Sequence, residues 1–269
     1  MPRWLALPVA LWPAAARRRA LQGRLVRILT ACAGDADCEQ GPWLKAFKAE
    51  NVAPEKAAEL ILGLLFAAHK NLAIAAAQAF CFWHESPVAE KEQVAREARA
   101  LCKAEQTAVT SMAECGALQR CCLETLRLTS HAIGAIREAR EDFVLKGPGG
   151  EDYLVRKGET LAMAHIASSL CPKAWGRDAA DYRPARWLLE DGATRRVDKH
   201  TLTTFSAGVH KCPGERLALT LTQQTLALLV TADLRLAKIP PVSFERATLA
   251  QREGPVHITS RLSPATFSG

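Results

Sequence analysis

From Pro54 to His84 the chain offers one uninterrupted helical stretch whose middle, Leu60 to Phe82, is apolar on almost every side. About thirty residues at about 1.5 Å each make a helix about 45 Å long. Pro54 and Glu55 suit a first helical turn, and Pro87 lies just past the end. A helix apolar all round belongs at the centre of a large protein or in a membrane. His69, Lys70 and Asn71 interrupt this one at mid-span and count against a membrane span. The expectation is a buried helix with a polar feature on one face.

At 269 residues the chain can bury a core as one large domain or two small ones. Hydrophobic residues make up 49% and charged residues 23%, which excludes a disordered chain. The net charge of +7 is spread along the sequence apart from Arg17, Arg18 and Arg19, so no nucleic-acid partner is expected. Nine cysteines, an odd count without a C-x-x-C pair, argue against a disulfide scaffold and the usual zinc site. Most read as reduced, buried thiols. The apolar run Met1 to Pro13 is short and precedes its arginines, so it is neither a secretory signal nor a membrane anchor. It reads as a loop leading into a basic helix over about 14–31.

Further helices fit about 88–104, 107–128 and 213–231. Strand signals at 142–146 and 152–156 flank Gly147-Pro148-Gly149-Gly150, a hairpin turn. Another apolar run covers 161–167. Residues 171–203 are irregular and rich in charge and proline, and two short strands fit near 233–238 and 256–261. Helices come first and short strands later, so the fold class is α+β, mainly α.

The most specific motif is Phe205-Ser-Ala-Gly208-Val-His210-Lys-Cys212-Pro-Gly214-Glu-Arg216. It sets a cysteine between two glycines immediately before a helix. Glycines let backbone turn sharply and approach a flat ligand closely. Backbone N–H groups and the positive helix end favour a thiolate, a good ligand for a soft metal centre. The bland alternative is a core cysteine near a glycine turn. The residues resemble, place for place, the haem loop F-x-x-G-x-[RH]-x-C-x-G of the cytochromes P450. The resemblance implies that Cys212 is the axial thiolate ligand of haem iron. It likewise implies that Phe205 packs beside the cysteine, that His210 donates to a haem propionate, and that Gly208 and Gly214 shape the loop over 205–214.

Glu124-Thr-Leu-Arg127 taken alone reads as a surface i,i+3 salt bridge. It is also the only E-x-x-R in the chain. In the resembled family such a pair joins an arginine from the segment before the haem loop, and Tyr182-Arg-Pro184-Ala-Arg186-Trp187 is similar to that segment. The implied Glu124–Arg127–Arg186 triad is structural, since bidentate arginine–carboxylate geometry can lock a loop onto a helix. Arg137, ten residues after Arg127, resembles a second propionate donor; by itself it is a solvated charge. In the long helix, Ala67-Ala68-His69-Lys70-Asn71 stands where the family usually has A-G-x-[DE]-T, whose acid and alcohol help deliver protons to oxygen. Ala68 and Asn71 are therefore the catalytic candidates. Lys70 replaces the acid and Asn71 the threonine, which leaves either a polar kink in a core helix or a chemistry that departs from oxygen activation.

The stretch from Arg127 to Leu145 is most similar to the sterol 14-demethylase and cholesterol 7-hydroxylase branch, and Asn71 resembles prostacyclin synthase. A sterol- or lipid-like substrate is implied, lined by residues 131–136. The resemblance runs from about residue 14 to the end and lacks the family's N-terminal part. The expectation is a single partial domain over 1–269, a fragment or truncated chain. Three functions stay open: a haem-thiolate monooxygenase using O2 and NADPH through a reductase docking near Lys211 and Arg216; an isomerase or lyase acting on a lipid peroxide; and a non-catalytic remnant. Relatives sit on the cytoplasmic side of the endoplasmic reticulum membrane, so membrane association would come through the part not seen here.

Overall fold

The computed structural model describes residues 13–34, 41–103, 115–129, 134–147, 149–189, 200–232, 234–243 and 251–260. The expected loop before residue 13, the start of the helix over 107–128, and residues 131–133 of the expected substrate wall lie outside these. The chain forms two compact units, Met1–Lys70 and Asn71–Gly269.

The first unit holds α1 (Pro13–Gly34), α2 (Pro42–Ala49) and the first half of α3 (Pro54–Glu85). α1 and α3 match the two helices read from the sequence. The expected burial of α3 fails in this half: Leu60, Leu64, Leu65 and Phe66 are exposed, Phe66 by 82%. By length and composition alone α3 also reaches the range of a membrane span, with a mean hydropathy of 1.7, a property shared with core helices of soluble proteins.

The second unit carries the core. Here α3 does become buried, from Ala75 through Phe82. It is followed by α4 (Val88–Lys103), α5 (Gly116–Leu128) and, near the C-terminus, α8 (Glu215–Thr231), which packs against both. Their apolar faces meet around Phe80, Val94, Leu118, Cys122 and Leu226. Each such side chain removed from water contributes about 2 kcal/mol. The start of α5 is fixed by Glu97 of α4, whose two carboxylate oxygens accept the free N–H groups of Ala117 and Leu118, both at 2.9 Å. An acid there satisfies unpaired donors and the helix dipole together.

Between α5 and α8 lie four short strands, β1 (Ala135–Glu138), β2 (Phe143–Lys146), β3 (Asp152–Val155) and β4 (Thr160–Met163). β2 and β3 form the expected hairpin, Phe143 opposite Val155. β1 pairs antiparallel with β4, Arg137 opposite Leu161. The apolar run over 161–167 is thus half strand and half helix, because α6 (His165–Ser169) begins two residues after β4. The irregular segment contains one turn of helix, α7 (Pro172–Trp175), and a 3-10 turn at Pro184–Trp187. β5 (Leu234–Lys238) pairs with β8 (His257–Ser260), and β6 (Val242–Ser243) with β7 (Gln251–Arg252). The architecture is α+β and mainly α.

Candidate functional site

Glu124 and Arg127, one turn apart on α5, are both wholly buried. Arg127 grips Glu124 with two donors, Nε to Oε2 at 2.9 Å and Nη2 to Oε1 at 2.8 Å. Arg186 adds Nε to Oε1 at 2.8 Å, and two groups not expected from sequence complete the shell: the Trp187 indole N–H at 2.9 Å and the Arg183 backbone N–H at 3.0 Å. Arg127 also donates to the carbonyls of Ser169, Ala179 and Asp181, and lies 5.1 Å over the Trp175 ring. A buried ion pair is tolerable when its remaining donors and acceptors are satisfied, as they are here. The surface salt-bridge alternative is thereby excluded, and residues 169–187 are tied to α5.

The cysteine loop follows this lock. Ser206 N–H donates to Thr203 O at 2.8 Å, and Cys212 N–H donates to Phe205 O at 2.8 Å, closing the loop on itself. Gly208 has φ 72° and Ser206 φ 59°, the two left-handed positions that let the chain reverse. Gly214 needs no such freedom; it stands at φ −90° as the residue before α8. A Cβ there would lie 3.8 Å from the Cys212 sulfur, in ordinary contact. Lys211 bridges to Glu215 at 2.5 Å across the start of α8.

Cys212 is exposed, and it opens onto a cavity lined by Gly134, His165, Thr204, Phe205, Ser206 and His210. The core cysteines differ in kind. Burial pushes the Cys121 thiol up to about 12 and holds Cys81 and Cys122 above the ordinary thiol range, so these stay neutral packing groups. No cluster of three or more metal-ligating side chains occurs among the described residues.

Phe205, His210 and Cys212 therefore come together around one cavity. Arg137 is not in its wall: it stands exposed on β1, its Nη1 donating to Ile136 O at 2.8 Å. Ala68 and Asn71 are exposed on α3, Ala68 in the first unit and Asn71 in the second. Sequence reading missed His165, a buried imidazole in the cavity wall.

A family profile described as Cytochrome P450 matches residues 44–235. The chain belongs to the cytochrome P450 family. Curated relatives include Cytochrome P450 734A5 of Oryza sativa subsp. japonica, 34% identical over 40% of this chain and 19% of its own length. Cytochrome P450 52A8 of Candida tropicalis is 32% identical over 52% of this chain and 27% of its own length. Cytochrome P450 27C1 of Danio rerio is 35% identical over 35% of this chain and 16% of its own length. The chain thus spans less than a third of the curated P450s it matches. Among solved structures, a cytochrome P450 (CYP102L1) superposes with TM-score 0.73 at 21% identity, covering 97% of this chain and 61% of that one. This likeness shows the P450 fold.

Proposed function

We propose that this P450 chain holds haem through the Cys212 thiolate and serves a monooxygenase acting on a lipophilic, sterol- or lipid-like substrate. The observation that carries the reading is the placement of Cys212, the exposed cysteine that opens onto a cavity at the head of α8, inside the segment the family profile matches. The residues present fit the group. The described lining contains an aromatic ring, two imidazoles and two hydroxyls and no carboxylate, a donor-rich set suited to an anionic, flat ligand.

Haem bound there would supply O2 activation, with two electrons from NADPH through a reductase and two protons, so that one oxygen atom would enter the substrate and the other leave as water. The chain's own groups do the holding. Cys212 stands three residues before α8, at that helix's positive end. Phe205 shields the sulfur side from water, and His210 donates toward a propionate. Arg137, exposed on β1 three residues beyond the cavity residue Gly134, is assigned as a second propionate donor by the family resemblance. In sequence, Ala68 and Asn71 occupy the family's oxygen-side motif, where its acid–alcohol pair is replaced by Lys70 and Asn71. That replacement favours a second reading, an isomerase or lyase acting on a lipid peroxide without reductase. The family's redox partner and cytoplasmic-face membrane setting enter with the first reading.

The test is a reduced-CO difference spectrum of the whole chain and of Cys212→Ser. A red-shifted Soret band of the thiolate type, lost in the variant, is expected. Its absence from the unsubstituted chain leaves only a non-catalytic remnant. Product formation from a lipid hydroperoxide without NADPH would select the isomerase; strict dependence on reductase and O2 would select the monooxygenase.

A further inference from the structure

His165 is the first residue of α6, 2% exposed, with neither ring nitrogen in a hydrogen bond. The Thr203 backbone interacts with the ring and favours a proton on it, short of a well-formed hydrogen bond, and the buried Thr203 hydroxyl is unpartnered. A buried imidazole with two idle nitrogens is costly unless something supplies an acceptor. The ring is seated deliberately: a Cβ at Gly134 would collide with it, so glycine at that position leaves the imidazole its place. It shares the cavity wall with His210 and Cys212. Burial holds it below the ordinary histidine range and keeps it neutral, with one N–H to give.

We propose that His165 is a haem-binding residue, donating a ring N–H to a carboxylate of the porphyrin from outside the cysteine-loop motif. The proposal rests on the haem reading above. It identifies a donor that the cysteine-loop pattern does not contain, built from the α6 start and the Gly134 gap. The described wall holds no carboxylate, so an anionic acceptor has to come from the ligand; a bridging water would satisfy one nitrogen but gain nothing from the porphyrin's charge.

The experiment titrates the full apo chain with hemin and with hemin dimethyl ester, which keeps iron and ring but lacks free carboxylates. His165→Leu is expected to weaken hemin binding by about ten- to hundred-fold, the span of a charge-assisted hydrogen bond, and to leave ester binding unchanged. His165→Gln retains a donor and should recover part of the loss. Should the leucine variant fail to accumulate folded, the propionate bending mode in the resonance Raman spectrum of His165→Gln is the readout, and it should shift. Equal losses for both porphyrins, unchanged hemin affinity in His165→Leu, or an unshifted mode in His165→Gln each overturn the proposal. Failure of the unsubstituted chain to bind either porphyrin overturns the haem reading itself, a separate result because it involves no His165 variant.

Discussion

Arg186 places its Nε 2.8 Å from Oε1 of Glu124, a carboxylate 62 positions earlier in the chain. The contact joins the 3-10 turn at Pro184–Trp187 to α5, and Arg127 holds the same carboxylate from within the helix. Replacing Glu124 by Gln strips buried Arg127 of its counter-charge and leaves Arg186 with Asp178 alone, 3.4 Å away. Loss of one partner from such a cluster costs about 3–5 kcal/mol. A urea melt of Glu124→Gln should show that loss, whereas Arg186→Lys keeps the charge without the fork and should lose less.

The cysteine loop holds two left-handed residues with opposite prospects. Nothing lies within 4 Å of a Cβ built on Gly208, so Gly208→Ala is penalised by its φ of 72° alone, about 1 kcal/mol. Ser206, at φ 59°, already bears that strain, so Ser206→Gly should relieve a comparable amount, about 1 kcal/mol. Thermal melts of the two variants should move in opposite directions from the unsubstituted chain.

Arg252 on β7 clasps α3. Its Nε donates to Gln78 Oε1 at 2.9 Å, Nη1 to Pro240 O at 3.1 Å and Nη2 to Glu85 at 3.1 Å, with the guanidinium 4.7 Å over the Phe82 ring. Arg252→Met retains the stem and drops every donor. A destabilisation of about 2 kcal/mol is expected, with faster proteolytic cleavage near the β6–β7 pair.

His84 supplies a pH-dependent contact. Its Nε2 accepts the Leu236 N–H at 3.4 Å, docking β5 on the end of α3. Burial first, then Lys91, hold the imidazole below its ordinary range, with Glu85 pulling the other way. The unfolded chain therefore takes up this proton at higher pH than the folded one. The stabilisation is complete above about pH 6.5 and is lost as pH falls through the lower, folded value. Melting temperature followed from about pH 7.5 down to about pH 5, roughly the span of histidine titration, should fall more for the unsubstituted chain than for His84→Gln.

The cysteine loop was legible because fixed spacing is itself the signal: Phe205, Gly208, His210, Cys212 and Gly214 can be read without knowing what surrounds them. The grouping of Glu124 with Arg186 needed the resemblance, since nothing local links positions so far apart. The share taken by the Arg183 N–H was invisible, because a backbone donor leaves no residue type to recognise. His165 was missed for a related reason: its cavity is assembled from three separate segments, and a lone histidine after an apolar run carries no periodicity. The burial of α3 was only half read. Apolar residues on every side state what a helix prefers to contact, while the exposure of Phe66 depends on which elements stand nearby.

Cys212 spends its own amide proton on the Phe205 carbonyl, and Pro213 has none to give. Two of the nearest groups that could draw electron density from the sulfur are thus withdrawn. If Cys212 holds haem iron as proposed, a sulfur with fewer donors around it would give more electron density to the metal, favouring its oxidised form. Substituting Pro213 by alanine would restore one amide and, on this reasoning, shift the redox balance toward easier reduction.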